Sequence, residues 1–386
     1  MDGRDSRITD KVQSLSDIEL AALLCLVADQ HCILESEADA LDELEEELKL
    51  ICRNTFGLTS AVLECSEKTS IDEFGNGILI EGERERASYN SRTSLSRWED
   101  YSSDAPTPSL PTFRRSSRSP APLNALDNID TRRIADVVVV KNLNLTLPTV
   151  QIQALELIRG KRIFSRTAVH TAPKRFLFIS LQASGSPKLV PHLNDRFFIS
   201  HTHAAEDGLP NLEEVQQQNA INNGYDSDAA SESSVIRSPT ASGFLKHPSP
   251  PSISQPLFPK HAIDELTTLA AAVTLTAEIR AHLHNIPIFM RQHRAVRGGV
   301  SSLATRHLRA LVCALAPLHG IDYVSPGLVA LAARKVYPHR IVLVERAEDE
   351  RSVRWGSEVD AVGGLLEGVT VGDVIEETIG EVEVPL

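Results

Sequence analysis

The chain has 386 residues, 42% of them hydrophobic but only 5% aromatic, and a formal net charge of −13. That length exceeds what one hydrophobic core supports, so two or more units with aliphatic cores are expected. The acidic balance weighs against sequence-independent nucleic-acid binding, because phosphates would be repelled.

Five cysteines, Cys25, Cys32, Cys52, Cys65 and Cys313, lie scattered in apolar surroundings with no Cys-x-x-Cys pair. This pattern predicts free, mostly buried thiols and no zinc site. The polar start MDGRDSRITDKVQ lacks the apolar centre of a secretory signal. No uncharged apolar run reaches the length of about 18 residues that reads as a membrane span. A cytoplasmic or nuclear location without membrane contact is expected.

In chain order, residues 14–84 read as folded. The segment DIELAALLCLVADQ carries Ile18, Leu20, Leu23, Leu24, Leu26 and Val27 at helical spacing, with Ser16 or Asp17 placed to cap its start. HCILE (31–35) suits a buried strand. ALDELEEELKLICRNTFG is amphipathic, with Leu41, Leu44, Leu48, Ile51 and Cys52 on one side and Gly57 as its stop. SAVLECS is a second strand, and SIDEFGNGILI follows it.

Residues 85–129 are rich in Ser, Arg, Pro and Thr and cannot bury enough apolar surface to offset chain entropy. They are expected to be disordered, as is the Ser/Pro-rich stretch 205–258. Between them, 130–204 gives strand, helix, strand and loop; 259–345 is a helical block and 346–386 an acidic extension. Strand–helix alternation followed by helices predicts an α/β core with a separate helical domain. The inserts place Ser116, Ser117 and Ser119 among arginines and Ser227 among acids. Phosphorylation there would add roughly two negative charges per site and could switch a partner.

Several segments, taken in order, resemble the magnesium-chelatase branch of the AAA+ ATPases. ALLCLVADQHCILE is similar to the lead into a phosphate-binding loop, and VLECSEKTSIDEFGNGI to the next strand and its acidic-Gly turn. VVVVKNLN sits at the Walker B position, TVQIQALELIRGKRI resembles the following helix and hairpin, and KRFLFISL the sensor-1 strand. LVPHLNDRFF resembles the Asp-Arg-Phe turn where the family places its arginine finger. GGVSSLATRHLRALVCALAPLHGIDYVSPGLVALAARKVYPHRI resembles the helical lid, with a His-Arg pair near its end. The resemblance implies a three-layer AAA+ core with a parallel sheet and an all-helical lid. It also implies an oligomer, homomeric or with a different AAA+ protein.

The residues at the implied functional positions depart from the family. A phosphate loop needs glycines, inward N–H groups and a Lys. Residues 36–43 hold no Gly and no Lys, and Glu37, Asp39, Asp42 and Glu43 add four carboxylates. At ~4 Å each carboxylate–phosphate pair would cost about 1 kcal/mol in water and roughly 4 kcal/mol in a partly shielded site. The expectation is that Ser36 caps a helix whose first turns these acids complement.

At Walker B, Lys141 would repel Mg²⁺ and Asn142 cannot act as a general base. The expectation is a solvated Lys141 and a capping role for Asn142 or Asn144, with Pro148 opening the next helix. Sensor 1 offers only Gln182, and sensor 2 aligns with Leu303, with Arg306 one turn on. Arg196 survives, and two readings of it stand: an arginine finger acting on a neighbour's nucleotide, or a structural ion pair with Asp195.

His201, His203, Glu206 and Asp207 resemble a metal set only superficially, since they lack spaced second ligands. Arg291, Arg294 and Arg297 form a basic stripe, read as the solvated face of a lid helix.

The expectation is a catalytically degenerate AAA+ protein, a scaffold or regulatory subunit with a protein partner and without a cofactor. The alternatives are an active ATP- and Mg²⁺-dependent chelatase or remodelling subunit, or a chain that lends Arg196 to an active neighbour.

Overall fold

A computed structural model of the chain describes residues 4–81, 132–165, 168–224 and 255–385. The first expected insert, 85–129, therefore lies outside the described residues, as do 225–254 of the second and the serines at 116, 117, 119 and 227.

The N-terminal part runs α1 (Arg4–Gln13), α2 (Asp17–Ala28), β1 (Cys32–Ser36), α3 (Leu41–Leu50), β2 (Ser60–Glu64), α4 (Ile71–Gly77) and β3 (Leu79–Glu81). The chain re-enters with β4 (Arg132–Ile134), β5 (Val137–Lys141), α5 (Pro148–Gly160), β6 (Arg162–Phe164) and β7 (Val169–Thr171). β8 (Leu177–Ala183), α6 (Pro191–Asn194), β9 (Ile199–Thr202) and α7 (Pro210–Gly224) follow. The C-terminal part holds α8 (Lys260–Ala272), α9 (Ala277–Gln292), β10 (Val296–Gly298), α10 (Ser302–Leu318) and α11 (Pro326–Val336). It ends with β11 (Val342–Leu343), α12 (Val359–Leu366) and α13 (Val371–Glu381).

Five strands form one parallel sheet in the order β2-β5-β8-β1-β9. The all-Val run of β5 is buried throughout, as a central parallel strand covered on both faces should be. Alternation divides it between two cores. Val137 and Val139 join Cys32, Leu34, Leu177, Ile179 and the helices α2, α3, α8 and α10. Val138 and Val140 join Ile33, Phe176, Phe178 and the helices α4 and α5 on the other face. The three-layer core and the helical lid are both present.

Local signals explain most element ends. Ser16 and Glu19 form a reciprocal capping box at the start of α2. Leu41, Leu44, Leu48, Ile51 and Cys52 form the buried side of α3 and of the π turn (Ile51–Thr55) that extends it. Gly57 ends that segment with φ at +62°. Pro148 is the first residue of α5.

One part of the fold differs from the expectation. Residues 205–224 are ordered, as a 3-10 turn (Ala205–Asp207) and α7, although they fall inside the stretch 205–258 read as an insert. The fully buried Glu47 of α3 holds the start of α7, accepting from the backbone N–H of Asn211 at 3.2 Å and of Leu212 at 2.7 Å. The acidic extension packs α13 against α9 and α11, and Arg334 Nε donates to Glu376 Oε1 at 2.6 Å.

Candidate functional site

The C-terminal edge of the parallel sheet brings together the positions that the sequence singled out. Glu64 at the end of β2 pairs in register with Lys141, and Lys141 with Leu181 of β8. Ser36 at the end of β1 pairs with Ala183. Lys141 is buried, with 7% exposure, and not solvated as expected. Its ammonium pairs with the Asp42 carboxylate of α3, and Glu64 Oε1 and Glu45 Oε2 lie 3.7 and 3.9 Å away. The bond to Asp42, with these acids around it, raises the Lys141 pKa above its ordinary value.

Within residues 36–43 the acids Asp42 and Glu43 fall in the first turn of the helix as expected, but Ser36 does not act as the sequence suggested. Ser36 does not cap a helix, because β1 runs one residue further than HCILE and ends on it. Ser36 is buried there, and its Oγ donates to the carbonyl of His203 at 3.1 Å. A 3-10 turn (Ala38–Ala40) follows, and α3 starts at Leu41 without a side-chain cap. Asp39, Asp42 and Glu43 are exposed, and Asp42 and Glu43 occupy the first turn of α3.

Asn142 follows β5 with φ at +58°, a left-handed conformation that Asn tolerates better than most residues. Its side chain makes no cap, and neither does that of Asn144. Asn144 Nδ2 instead reaches Ser186 Oγ at 2.8 Å and the Pro187 carbonyl at 2.9 Å. Gln182 donates to Glu35 Oε1 at 2.9 Å, on the neighbouring strand. Leu303 is half-buried in the first turn of α10 and offers no charged group.

The turn 194–198 between α6 and β9 is the second feature. Arg340, 3% exposed, reaches it from the lid: Nε donates to Asp195 Oδ1 at 3.3 Å, Nη2 to the Asp195 carbonyl at 3.2 Å, and Nη1 to the Phe198 carbonyl at 3.3 Å. Arg340 also bonds the carbonyls of Phe197 and Val336. Burial lowers its pKa to about 10, so it stays charged at neutral pH. Ser301 at the start of α10 donates to the same Asp195 Oδ1 at 2.6 Å. Asn194 Nδ2 donates to the His339 carbonyl at 2.6 Å.

Asp195 is thus engaged by the lid, and the Arg196–Asp195 ion pair, one of the two readings of Arg196, does not form among the described residues. Arg196 is half-buried and lies near Arg159 and Arg306; burial, then Arg159, lowers its pKa. Among the described residues none of the three guanidiniums forms an ion pair with an acid, and Arg306 is near Arg196 rather than at the sheet edge with Lys141.

His201 and His203 are buried on and just after β9. Lys335 Nζ lies 3.0 Å from His201 Nδ1, and His203 Nδ1 lies 3.7 Å from Asp207. Among the described residues no group of three or more His, Cys, Asp or Glu side chains is placed to hold a metal. No described helix is long and apolar enough to cross a membrane.

Comparison with known proteins agrees with this architecture. Residues 288–361 match the family model for an AAA lid domain, a match that covers well under half of the chain. The fold is similar to a solved structure from Cytophaga hutchinsonii described as a "putative ATPase". That likeness has a TM-score of 0.58 at 12% identity and covers 99% of this chain and 94% of the other. A curated relative from Kluyveromyces lactis, "Maintenance of telomere capping protein 2", is 23% identical over 103 residues. That alignment spans 26% of this chain and 38% of the relative's length. The chain therefore has an AAA+-type fold, a parallel α/β core with an AAA lid.

Two outcomes test this site. Arg340→Ala leaves Asp195 and several carbonyls buried without their donor, so it should cost about 3–5 kcal/mol of unfolding free energy. Arg340→Lys should recover only part of that, because an ammonium cannot span the same fork of acceptors. Urea titration with both variants near wild type would contradict the assignment.

The second outcome concerns pH. Burial, with Lys161 nearby, lowers His31 to about 3. Burial, with Arg340 nearby, does the same for His307. Burial and Lys335 lower His201 to about 4. These rings are neutral in the folded chain but protonate near about 6.5 when unfolded. Unfolding therefore takes up protons, and stability should be full above about pH 6.5 and fall as pH drops toward 4. A urea midpoint unchanged between pH 7.5 and 5 would contradict this.

Proposed function

We propose that the chain is a non-catalytic relative of the magnesium-chelatase branch of AAA+ proteins, a pseudo-ATPase that serves as an interaction scaffold or regulatory subunit. The Lys141–Asp42 ion pair carries this reading. It puts a cation at the strand end where the family's resemblance implies an Mg²⁺-binding acid, and an acid in the helix where phosphate-binding groups are implied. The residues do not fit a bound Mg·nucleotide: Lys141 would repel the metal and the exposed acids of 37–43 the phosphates. An active chelatase or remodelling subunit would need that complex here.

The Arg340 network also supports a static role. An ATPase lid must shift as nucleotide turns over, and this lid is tied to the core by a buried charge that would lose its partners on opening.

A second reading has its own observation. Arg196, with Arg159 and Arg306 beside it, is a cationic group that makes no ion pair among the described residues. AAA+ proteins typically oligomerise, and such a group suits an anion presented by a neighbouring AAA+ subunit. The name of the K. lactis relative favours the nucleus over the cytoplasm as the place of action.

A phosphate-release assay tests both readings. The chain alone should hydrolyse no Mg·ATP, and Lys141→Asp/Asn142→Glu should stay inactive because no phosphate loop is restored. Turnover by either protein would sink the pseudo-ATPase reading. With a reconstituted active partner, Arg196→Ala should lower the partner's turnover, and an unchanged rate would remove the finger-donor version.

A further inference from the structure

We propose that the lid carries a pocket for a phosphorylated serine or threonine side chain of a partner protein, built on Arg291, Arg294, Arg297 and Arg351. These side chains line a cavity of about 320 Å³ between the end of α9, the β10–β11 pair and the turn (Arg351–Trp355) that follows. One acid, Asp349, lines it with them. The adjacent Glu350 lies near Arg294 and Arg351, but its carboxylate is engaged by the Ser352 backbone N–H at 2.7 Å.

Two of the guanidiniums are oriented by the backbone. Arg291 Nε donates to the Val300 carbonyl at 3.0 Å. Arg351 Nη2 donates to the Gln292 and His293 carbonyls at 2.8 and 3.1 Å. Each of these bonds uses one side of a planar fork and leaves other N–H groups for a ligand. Arg294 and Arg297 are exposed and make no hydrogen bond or ion pair among the described residues. The floor is rigid: Gly299 holds φ at +96°, where a Cβ would stand 1.9 Å from the Arg340 carbonyl oxygen.

The chemistry favours a phosphomonoester. Four guanidiniums against the carboxylates of Asp349 and the nearby Glu350 still leave an excess of positive charge in a concave site, which focuses the field on an entering anion. A phosphorylated side chain brings roughly two negative charges and three acceptor oxygens, and arginine forks match it in bidentate fashion. An extended nucleic acid fits less well. The exposed acid Asp349 lines the pocket, and the chain's net charge of −13 repels a long polyanion. The inference concerns the lid surface alone and does not depend on the loss of ATPase chemistry.

Fluorescence anisotropy on the full chain tests it, using a labelled ten-residue acidic peptide with one central phosphoserine. The unphosphorylated twin and a single-stranded DNA decamer serve as competitors. The phosphopeptide should bind at least about tenfold more tightly than its twin, and Arg294→Glu/Arg297→Glu should weaken it at least about tenfold. Arg280→Glu, an exposed change elsewhere on α9, should leave binding and thermal unfolding unchanged. Affinity should fall as salt is raised past about 0.15 M. No binding up to ~1 mM, equal binding of the twin, preference for the DNA, or full affinity in the double variant would each overturn the proposal. Should the double variant unfold, Arg297→Glu alone decides it, since that side chain is exposed and outside the core.

Discussion

The architecture turns on one buried guanidinium. Arg340 comes from the lid and is surrounded by acceptors of the core: the carboxylate and carbonyl of Asp195 and the carbonyls of Phe197 and Phe198. A charge removed from water in this way is tolerated only when its donors are nearly all used. That requirement fixes the angle of the lid on the sheet. It brings Ser301 onto Asp195, holds Gly299 against the Arg340 carbonyl, and places the end of α9 beside β10 and β11. Because Asp195 is consumed by this network, the next residue in the chain, the half-buried Arg196, forms no ion pair with it.

The edge of the sheet presents the opposite problem, a charge pattern that is inverted relative to a nucleotide site. The Lys141–Asp42 pair joins a 9%-exposed side chain to one that is 82% exposed, so its net stabilisation is at most about 1 kcal/mol. Its importance is chemical. A buried ammonium with carboxylates around it satisfies the strand end internally, and the helix that follows β1 presents exposed acids where anion-binding N–H groups and a Lys would be needed. Magnesium would meet a cation there and phosphate would meet anions.

Much of the fold was legible because its signals are local. The all-Val run before Lys141 could only be a strand covered on both faces, and the Leu41, Leu44 and Leu48 spacing could only be one side of a helix. The capping box at Ser16 and Pro148 at the start of α5 are likewise written within a few residues of where they act. What stayed hidden depends on partners distant in sequence. Helix α7 has weak apolar patterning and is held by Glu47, 164 residues before Asn211. Lys141 looked solvated because Asp42 lies 99 residues away. The Asp195–Arg196 pairing suggested by adjacency gave way to an arginine 145 residues later. Ser36 was misread by a single residue, enough to move it from a helix cap to a buried strand end.

The proposed loss of nucleotide binding rests on the Lys141–Asp42 pair standing where a nucleotide would sit. Calorimetric titration of the purified chain with Mg·ATP and Mg·ADP tests this. No heat of binding is expected up to ~1 mM nucleotide, equivalent to less than about 4 kcal/mol of affinity. Saturable binding in the micromolar range would contradict it. That result would mean that residues 36–43 rearrange to accept phosphate and that the Lys141–Asp42 pair opens.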